Sequence, residues 1–271
     1  MSDACRNTSG EALEQQALDA LKDAAPKLAP VKFYVVRHGQ TLFNVMGRVQ
    51  GWCDTPLTAE GVQGAEALGR GLARVDFKAA FSSDSGRAMQ TLDAVLAARA
   101  ACRGEKVAKP HNPFSLPVAA GAPAVPFPVV HDARLREWCY GDLEGEPGEL
   151  LHQRFTEGFG REVPFEELNR RLSEVANIIA SSDRSGRAED FATIERRLRA
   201  FFEDMGRAAQ QAGGGNVLVV THAFVVRTLV YLLDPARVND PLKILNASVT
   251  ELIYDNGTFS LGAIGSTDWQ A

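Results

Sequence analysis

Short apolar segments rich in β-branched residues alternate with helical segments along this 271-residue chain, and this alternation constrains its fold most. Strands that alternate with helices form a mostly parallel sheet whose two faces are covered by those helices. We therefore predict an α/β fold, a three-layer α/β/α sandwich around a mostly parallel central sheet. The predicted strands are 31–36, 79–82, 129–130 and 217–220, and the predicted helices are 60–74, 86–101 and 222–233.

The last part of the chain adds an antiparallel element. Apolar segments at 249–254 and 259–264 flank the tripeptide Asp255-Asn256-Gly257. An Asn-Gly pair tolerates the left-handed backbone that a two-residue hairpin turn requires. We therefore predict a β-hairpin at the end of the sheet.

Three segments lie outside this alternating core. Residues 1–30 are a predicted N-terminal helical extension, in which residues 11–24 have the apolar spacing of a helix. Residues 103–128 are rich in proline, alanine and glycine, so an irregular excursion is expected there. Residues 145–211 are charged and helical in pattern. We predict a single domain over 31–271 with insertions around these last two segments.

Composition excludes several classes of protein. The net charge is −5, from 29 basic and 34 acidic residues, whereas nucleic-acid binders normally carry a strong basic excess. No stretch reaches the ~18 apolar residues of a membrane span. The four cysteines are far apart and form no C-x-x-C pair, which disfavours a structural zinc site and a disulfide framework. The chain begins without a basic segment followed by an apolar one, so we expect no signal peptide and a cytoplasmic location.

Two histidines follow predicted strands at comparable places. His38 comes just after the strand at 31–36, and His222 comes just after the strand at 217–220. Ligand sites of open α/β sheets lie in the crevice beyond the carboxyl ends of the strands. Two such histidines can be unrelated, but their neighbours favour one shared site.

Those neighbours have the chemistry of a phosphate site. Arg37 precedes His38, and Arg87 lies near the start of the helix that follows the strand at 79–82. Guanidinium groups and a helix N-terminus together bind phosphate oxygens well. Asn44 adds a neutral amide donor.

Four sequence blocks resemble the histidine phosphatase superfamily, most closely the branch of cofactor-dependent phosphoglycerate mutases and their phosphatase relatives. The resemblance covers roughly residues 32–265 and implies a phosphoglycerate mutase-like sandwich with a helical cap formed by 145–211 and edged by 103–128. The blocks are R-H-G-Q-T at 37–41, S-S-D-S-G-R-A-M-Q-T at 82–91, L-R-E-W-C-Y-G-D-L-E-G at 135–145 and T-H-A at 221–223, and G-R-V-Q-G-W-C-D-T-P-L-T at 47–58 is also similar.

The resemblance implies catalytic roles for five residues. His38 is the expected nucleophile, which takes the phosphoryl group as phosphohistidine; a free imidazole has a pKa near 6.5 and is largely neutral at about pH 7. Arg37, Arg87 and His222 are expected around the phosphoryl oxygens, where they neutralise charge in the transition state. Glu137 is the expected proton donor to the leaving oxygen.

Further residues of the matching blocks are expected to contact the phosphate or the substrate. They are Asn44, Gln40, Thr41, Gly51 and Trp138. The positive groups are all supplied by the protein, so neither a metal ion nor another cofactor is expected. His111, His131 and His152 lack neighbouring ligands at the spacing of a metal site.

Two departures from the family pattern bear on the reaction. The family usually has Thr-His-Gly, whereas Ala223 follows His222 here. Phosphoglycerate mutases usually have an arginine directly after the glutamate and further basic residues that hold the substrate carboxylate. This chain has Trp138 there, and an indole cannot pair with a carboxylate as a guanidinium does. We expect Trp138 at the pocket mouth, against an apolar or aromatic leaving group.

These residues predict a metal-independent phosphomonoesterase that acts through phosphohistidine on a small phosphorylated molecule. One alternative is a cofactor-dependent phosphoglycerate mutase. A second alternative, suggested by Ala223 alone, is a weakly active protein that binds phosphorylated ligands. The sequence indicates neither the natural substrate nor the oligomeric state.

Overall fold

The computed structural model describes residues 28–105 and 125–270. The helix predicted at 11–24 and most of the proline-rich stretch at 103–128 lie outside these residues. The strands and helices follow the predicted alternation. In chain order they are β1 Val31–Arg37, α1 Leu42–Val45, α2 Ala59–Gly71, β2 Phe77–Ser82, α3 Gly86–Cys102, β3 Val129–His131, α4 Gly148–Phe159, α5 Phe165–Arg170, α6 Leu172–Ser182, α7 Phe191–Gln211, β4 Gly215–Thr221, α8 Ala223–Leu233, β5 Val249–Asp255 and β6 Thr258–Leu261.

Six strands form one sheet in the order β3-β2-β4-β1-β5-β6. β1, β2, β3 and β4 are parallel to one another, and β5 pairs antiparallel with both β1 and β6. The predicted hairpin is confirmed, since Asn256 and Gly257 have φ angles of 48° and 84° between β5 and β6. Both angles are left-handed, as a two-residue turn of this kind requires. β6 is shorter than predicted and ends at Leu261.

The two faces of the sheet are covered by different helices, which confirms the three-layer sandwich. Successive side chains of a strand point to opposite faces. Phe33 of β1 therefore packs with Phe201 and Phe202 of α7, together with α8, on one face. Tyr34 lies on the other face, where buried residues of α2 and α3 form a second apolar cluster.

A third apolar cluster lies apart from the sheet. It joins α4, α5, α6 and the first part of α7 with side chains of the segment after Glu137, including Trp138 and Tyr140. The predicted insertion at 145–211 therefore divides within α7. Its first part belongs to this separate cluster, whereas Phe201 and Phe202 cover the sheet.

No helix within residues 28–105 and 125–270 has the length and apolar character that crossing a membrane demands.

Candidate active site

The sheet brings the two strand-end histidines together. β1 and β4 are adjacent and parallel, with Arg37 opposite Thr221, so the residues that follow them emerge at one edge. The His38 amide donates to the Thr221 carbonyl at 2.8 Å. The imidazole rings of His38 and His222 lie 5.3 Å apart between centroids. The sequence prediction that these histidines share one place in the fold is therefore met.

A single backbone contact sets the tautomer of His38. Its Nδ1 lies 2.8 Å from the Gly39 carbonyl oxygen, which can only accept, so Nδ1 carries the proton. Nε2 of the neutral ring is left with its lone pair, as a nucleophile requires. Burial, reinforced by the charges of Arg87 and Arg37, holds the pKa of His38 well below its usual value. The ring is therefore neutral at pH 7.

His222 has the opposite tautomer. Nη2 of Arg87 donates to Nδ1 of His222 at 2.9 Å, because guanidinium nitrogens can only donate. The neutral ring therefore carries its proton on Nε2, near the Ser85 hydroxyl at 3.4 Å. Burial and the charge of Arg87 hold the pKa of His222 well below its usual value. Nε2 is consequently a neutral donor rather than a nucleophile.

Arg87 is fully buried, and the loop before α2 wraps around it. Its Nη1 donates to the Cys53 carbonyl and to Asp54, and its Nη2 donates to the Gly51 carbonyl as well as to His222. Its Nε is buried and has no hydrogen-bond partner in the described residues. A buried donor without a partner is costly. A phosphate oxygen would satisfy this donor.

Arg37 shows the same feature. Its Nη1 donates to the Ile244 carbonyl at 2.6 Å, whereas its Nε is buried and unpaired in the part of the chain that the structure describes. Burial lowers the pKa of Arg37 to about 10, so the guanidinium remains charged at neutral pH. Two fixed guanidinium groups, each with an unpaired Nε, are well suited to an anionic ligand.

Glu137 is buried and held by two backbone amides. Its Oε1 accepts from the Trp138 amide and its Oε2 accepts from the Phe224 amide, both at 3.0 Å. Burial raises the pKa of Glu137, although those two amides and the charge of Arg87 oppose the shift. A raised pKa favours a carboxyl group that can donate a proton near neutral pH.

Some of these groups border a cavity of about 210 Å³, whereas Arg87 and His222 are fully buried and are not among its lining residues. His38, Arg37, Asn44 and Glu137 are all in its lining. The Asn44 Oδ1 accepts from the Thr41 amide and the Asn246 side chain, so its NH₂ group remains available as a donor. Residues that the sequence reasoning did not assign also line the cavity, namely Arg48, Gln50, Tyr140, Leu151, His152 and Phe224.

Three further predicted binding residues also do not line this cavity but organise the loops beside it. Thr41 is buried; it caps α1 and donates to Gln50. Gln40 accepts a hydrogen bond from Thr58. The Gly51 carbonyl accepts from Arg87, and its amide donates to Glu144. Their observed contacts position Arg87 and the cavity wall.

Trp138 does not lie where it was predicted. It is 1% exposed, its ring lies 4.9 Å from that of Phe224 between centroids at a tilt of 38°, and its indole donates to the Thr228 hydroxyl. The pocket-mouth position is therefore wrong. Trp138 points into the third apolar cluster, where burial of its large ring contributes to packing.

Gly39, which follows His38, permits a close approach between two backbone segments. A Cβ atom at this position would lie 2.6 Å from the Gly61 carbonyl oxygen. The close approach is therefore between the loop that follows β1 and α2. Among the described residues, no group of histidine, cysteine, aspartate and glutamate side chains is arranged to hold a metal ion.

Comparisons with known proteins agree with this geometry. The chain matches the sequence profile of the histidine phosphatase superfamily (branch 1) over residues 33–106 and 118–267. A Gloeobacter violaceus protein named 2,3-bisphosphoglycerate-dependent phosphoglycerate mutase 2 is 31% identical over 201 residues, which are 74% of each chain.

Two solved structures are similar in fold and in sequence. The crystal structure named phosphoglycerate mutase from Bacillus anthracis str. Sterne has a TM-score of 0.77 at 32% identity and covers 90% of this chain and 96% of that one. Bacillus stearothermophilus YhfR has a TM-score of 0.63 at 28% identity and covers 89% and 100%. With the profile matching most of its length, this chain belongs to branch 1 of the histidine phosphatase superfamily.

Proposed function

We propose that the protein is a metal-independent phosphomonoesterase that acts through a phosphohistidine on His38. The observation that carries this proposal is the neutral, buried His38 ring, whose Nε2 is unprotonated and whose pKa is lowered by burial and by the charges of Arg87 and Arg37, two guanidinium groups that each keep an unpaired Nε. A nucleophile flanked by fixed positive charge fits phosphoryl transfer, in which charge is spread over the equatorial oxygens. The substrate is a small phosphorylated molecule, in keeping with the cavity volume of about 210 Å³.

In the first step, His38 Nε2 attacks phosphorus, the N–P bond forms and the ester P–O bond breaks. Glu137 gives its proton to the departing alkoxide, which leaves as an alcohol. Arg37 and Arg87 neutralise the phosphoryl charge, and His222 donates from Nε2. The Asn44 amide supplies a further donor.

In the second step, the Glu137 carboxylate takes a proton from water. The water oxygen attacks phosphorus, the N–P bond breaks and inorganic phosphate is released. His38 returns to its neutral tautomer with Nδ1 still held by the Gly39 carbonyl. The two backbone amides on Glu137 stabilise its carboxylate between the steps.

The segment after Glu137 favours hydrolysis over mutase chemistry. Residues 138–148 contain no lysine or arginine, and Trp138 is turned into the core. A phosphoglycerate mutase uses basic residues there to hold the substrate carboxylate. Phosphoglycerate mutase remains a second candidate, because two proteins more than 30% identical to this chain carry that name.

A phosphate-release screen over a panel of metabolite phosphomonoesters tests the proposal. The wild type is compared with His38→Ala and with a matched control, His131→Ala. His131 also ends a strand, β3, but contacts Ser82 and does not line the cavity. We expect release by the wild type and the control and none by His38→Ala.

The mutase alternative is tested with 3-phosphoglycerate and a bisphosphoglycerate primer. We expect 2-phosphoglycerate to form far more slowly than phosphate is released from the best monoester. Interconversion faster than hydrolysis would establish the second candidate instead.

A further inference from the structure

A second cavity adjoins the catalytic one. It has a volume of about 160 Å³ and lies between α5, the start of α8 and the loop before β5. The two cavities share Arg37, Ala223 and Phe224 as lining residues. The rest of its lining is Phe165, Asn169, Arg227, Lys243 and Ile244.

The lining of this second cavity carries only positive charge. Arg37, Arg227 and Lys243 contribute three cations, and no carboxylate is among the lining residues. In a small, partly enclosed space, a lining of one charge sign favours a ligand of the opposite sign. An anionic group there would be attracted from solution and stabilised.

Arg227 is a buried cation without an acidic partner in the described residues. Its guanidinium donates to the carbonyl oxygens of Val238, Pro241 and Leu242. Burial lowers the pKa of Arg227 to about 10, so the group stays charged at neutral pH. Carbonyl dipoles satisfy its hydrogen bonds but do not neutralise its charge, which remains available to a ligand.

Lys243 places a positive charge at the solvent-facing side of the second cavity. It is exposed, its ammonium lies 5.9 Å from the centre of the Phe165 ring, and no ion pair to it occurs within 28–105 and 125–270. Arg37 meanwhile connects the two cavities, since it lines both and keeps an unpaired Nε.

We propose that the cavity between Arg37, Arg227 and Lys243 is a second anion-binding site that takes a carboxylate or phosphate group. This group comes from a second acidic substituent of the substrate, or from a separate small anion bound beside it. The substrate source rests on the proposed phosphatase function, whereas binding of a separate anion does not.

The substrate source is tested with phosphomonoesters of ω-hydroxy acids of increasing chain length, each paired with the uncharged alkyl ester of the same length. We compare kcat/KM of acid and neutral ester in the wild type, Lys243→Met, Lys243→Arg and the control Lys78→Met. Lys78 is an exposed lysine of β2 that lines neither cavity. At one chain length we expect the acid to be preferred about three- to tenfold. Lys243→Met should lose that preference, and Lys243→Arg and Lys78→Met should keep it.

The separate-anion source is tested by thermal unfolding with sodium malonate or sodium sulfate, because a ligand that binds only the folded state raises Tm. A Tm increase that is reduced in Lys243→Met but kept in Lys78→Met supports this source. The proposal would be overturned if the wild type did not prefer the acid over the neutral ester at any chain length and if the anion raised Tm equally in Lys243→Met and Lys78→Met. A wild type that hydrolyses no ester would refute the phosphatase function, and the Tm comparison would still decide the second site.

Discussion

The ends of β1 and β4 place the same residue type at equivalent positions and give it opposite chemistry. His38 donates from Nδ1 to a backbone carbonyl, whereas His222 accepts at Nδ1 from Arg87. The first ring therefore offers a lone pair at Nε2, and the second offers a proton there. A strand end fixes where a histidine lies, but the partner of Nδ1 decides whether it attacks or donates.

The largest effect is expected from removing the nucleophile. His38→Ala should abolish both turnover and phosphoenzyme formation, because Nε2 of His38 is the proposed acceptor of the phosphoryl group. Steady-state phosphate release checks this, with His131→Ala as the strand-end control that keeps activity. Turnover by His38→Ala comparable to that of wild type would reverse the roles given to the two histidines.

Glu137→Gln should cause the next largest loss, and the loss should depend on the leaving group. General acid catalysis is worth about 10²- to 10⁴-fold, and we expect a loss in that range for alkyl phosphates. A nitrophenolate is a weak base and leaves unaided, so p-nitrophenyl phosphate should be affected much less. Burst kinetics measure phosphoryl transfer to His38 separately from the later attack of water on the phosphoenzyme.

Equal slowing for both leaving groups would remove Glu137 from the role of acid. Asp84 and Asp142 would then be the next carboxylates to examine. Both are engaged elsewhere, Asp84 with Arg136 and Asp142 with Arg154, and neither lines the catalytic cavity.

His222→Ala should slow the reaction by about 10²- to 10³-fold, the usual effect of removing one oriented donor from a transition state. Unlike His38→Ala, this variant should still form phosphoenzyme on His38. Rapid-quench labelling measures the rate of formation directly. Loss of all labelling in a folded His222→Ala protein would show that His222 is more than a donor.

The difference in tautomer can be observed without turnover. Long-range ¹⁵N–¹H NMR spectra should show protonated Nδ1 in His38 and protonated Nε2 in His222, with the signals assigned by His38→Gln and His222→Gln. Both rings should titrate below pH 6.5, since burial lowers both pKa values. The same tautomer in both rings would contradict the comparison.

These lowered pKa values also set the sign of a change in stability. Below pH 6.5 the unfolded chain binds protons at these two histidines that the folded protein does not bind. Their contribution to the free energy of unfolding therefore falls as the pH drops below 6.5. Urea unfolding between pH 5 and 8 measures this effect: as the pH falls, the wild type should lose more free energy of unfolding than His222→Gln, because the variant lacks one of the two histidines.

The smallest effect is expected from chelation. Arg37, Arg87 and His222 supply the groups that a metal ion would otherwise supply, so phosphate release should be unchanged in EDTA. Loss of activity that a divalent ion restores would contradict the mechanism.

The sequence predicted the parts of the site that depend on strand ends. His38 and His222 follow apolar strands whose neighbours in the sheet are set by alternation with helices, and the structure brings them together. The direction of Trp138 was not predictable in this way. Whether the side chain after Glu137 meets the cavity or the core depends on local backbone conformation and on the helices packed behind it.

Contacts made by loops distant in sequence were also missed. The carbonyl groups that enclose Arg87 come from Gln50, Gly51 and Cys53, and no periodicity marks them. Arg48 and His152 line the cavity because the Arg48 backbone pairs with Pro147 at the start of α4. Such tertiary contacts leave no local pattern in the sequence.

The central claim is that phosphorus bonds to His38 Nε2, and trapping the phosphoenzyme tests it most directly. Turnover of a labelled substrate is quenched, and the protein is digested under alkaline conditions and sequenced by mass spectrometry. We predict one phosphorylated residue, His38, through a bond that is stable to alkali and labile to acid. Phosphate on His222 or on a serine such as Ser85, or rapid turnover with no trapped phosphoenzyme, would contradict the account.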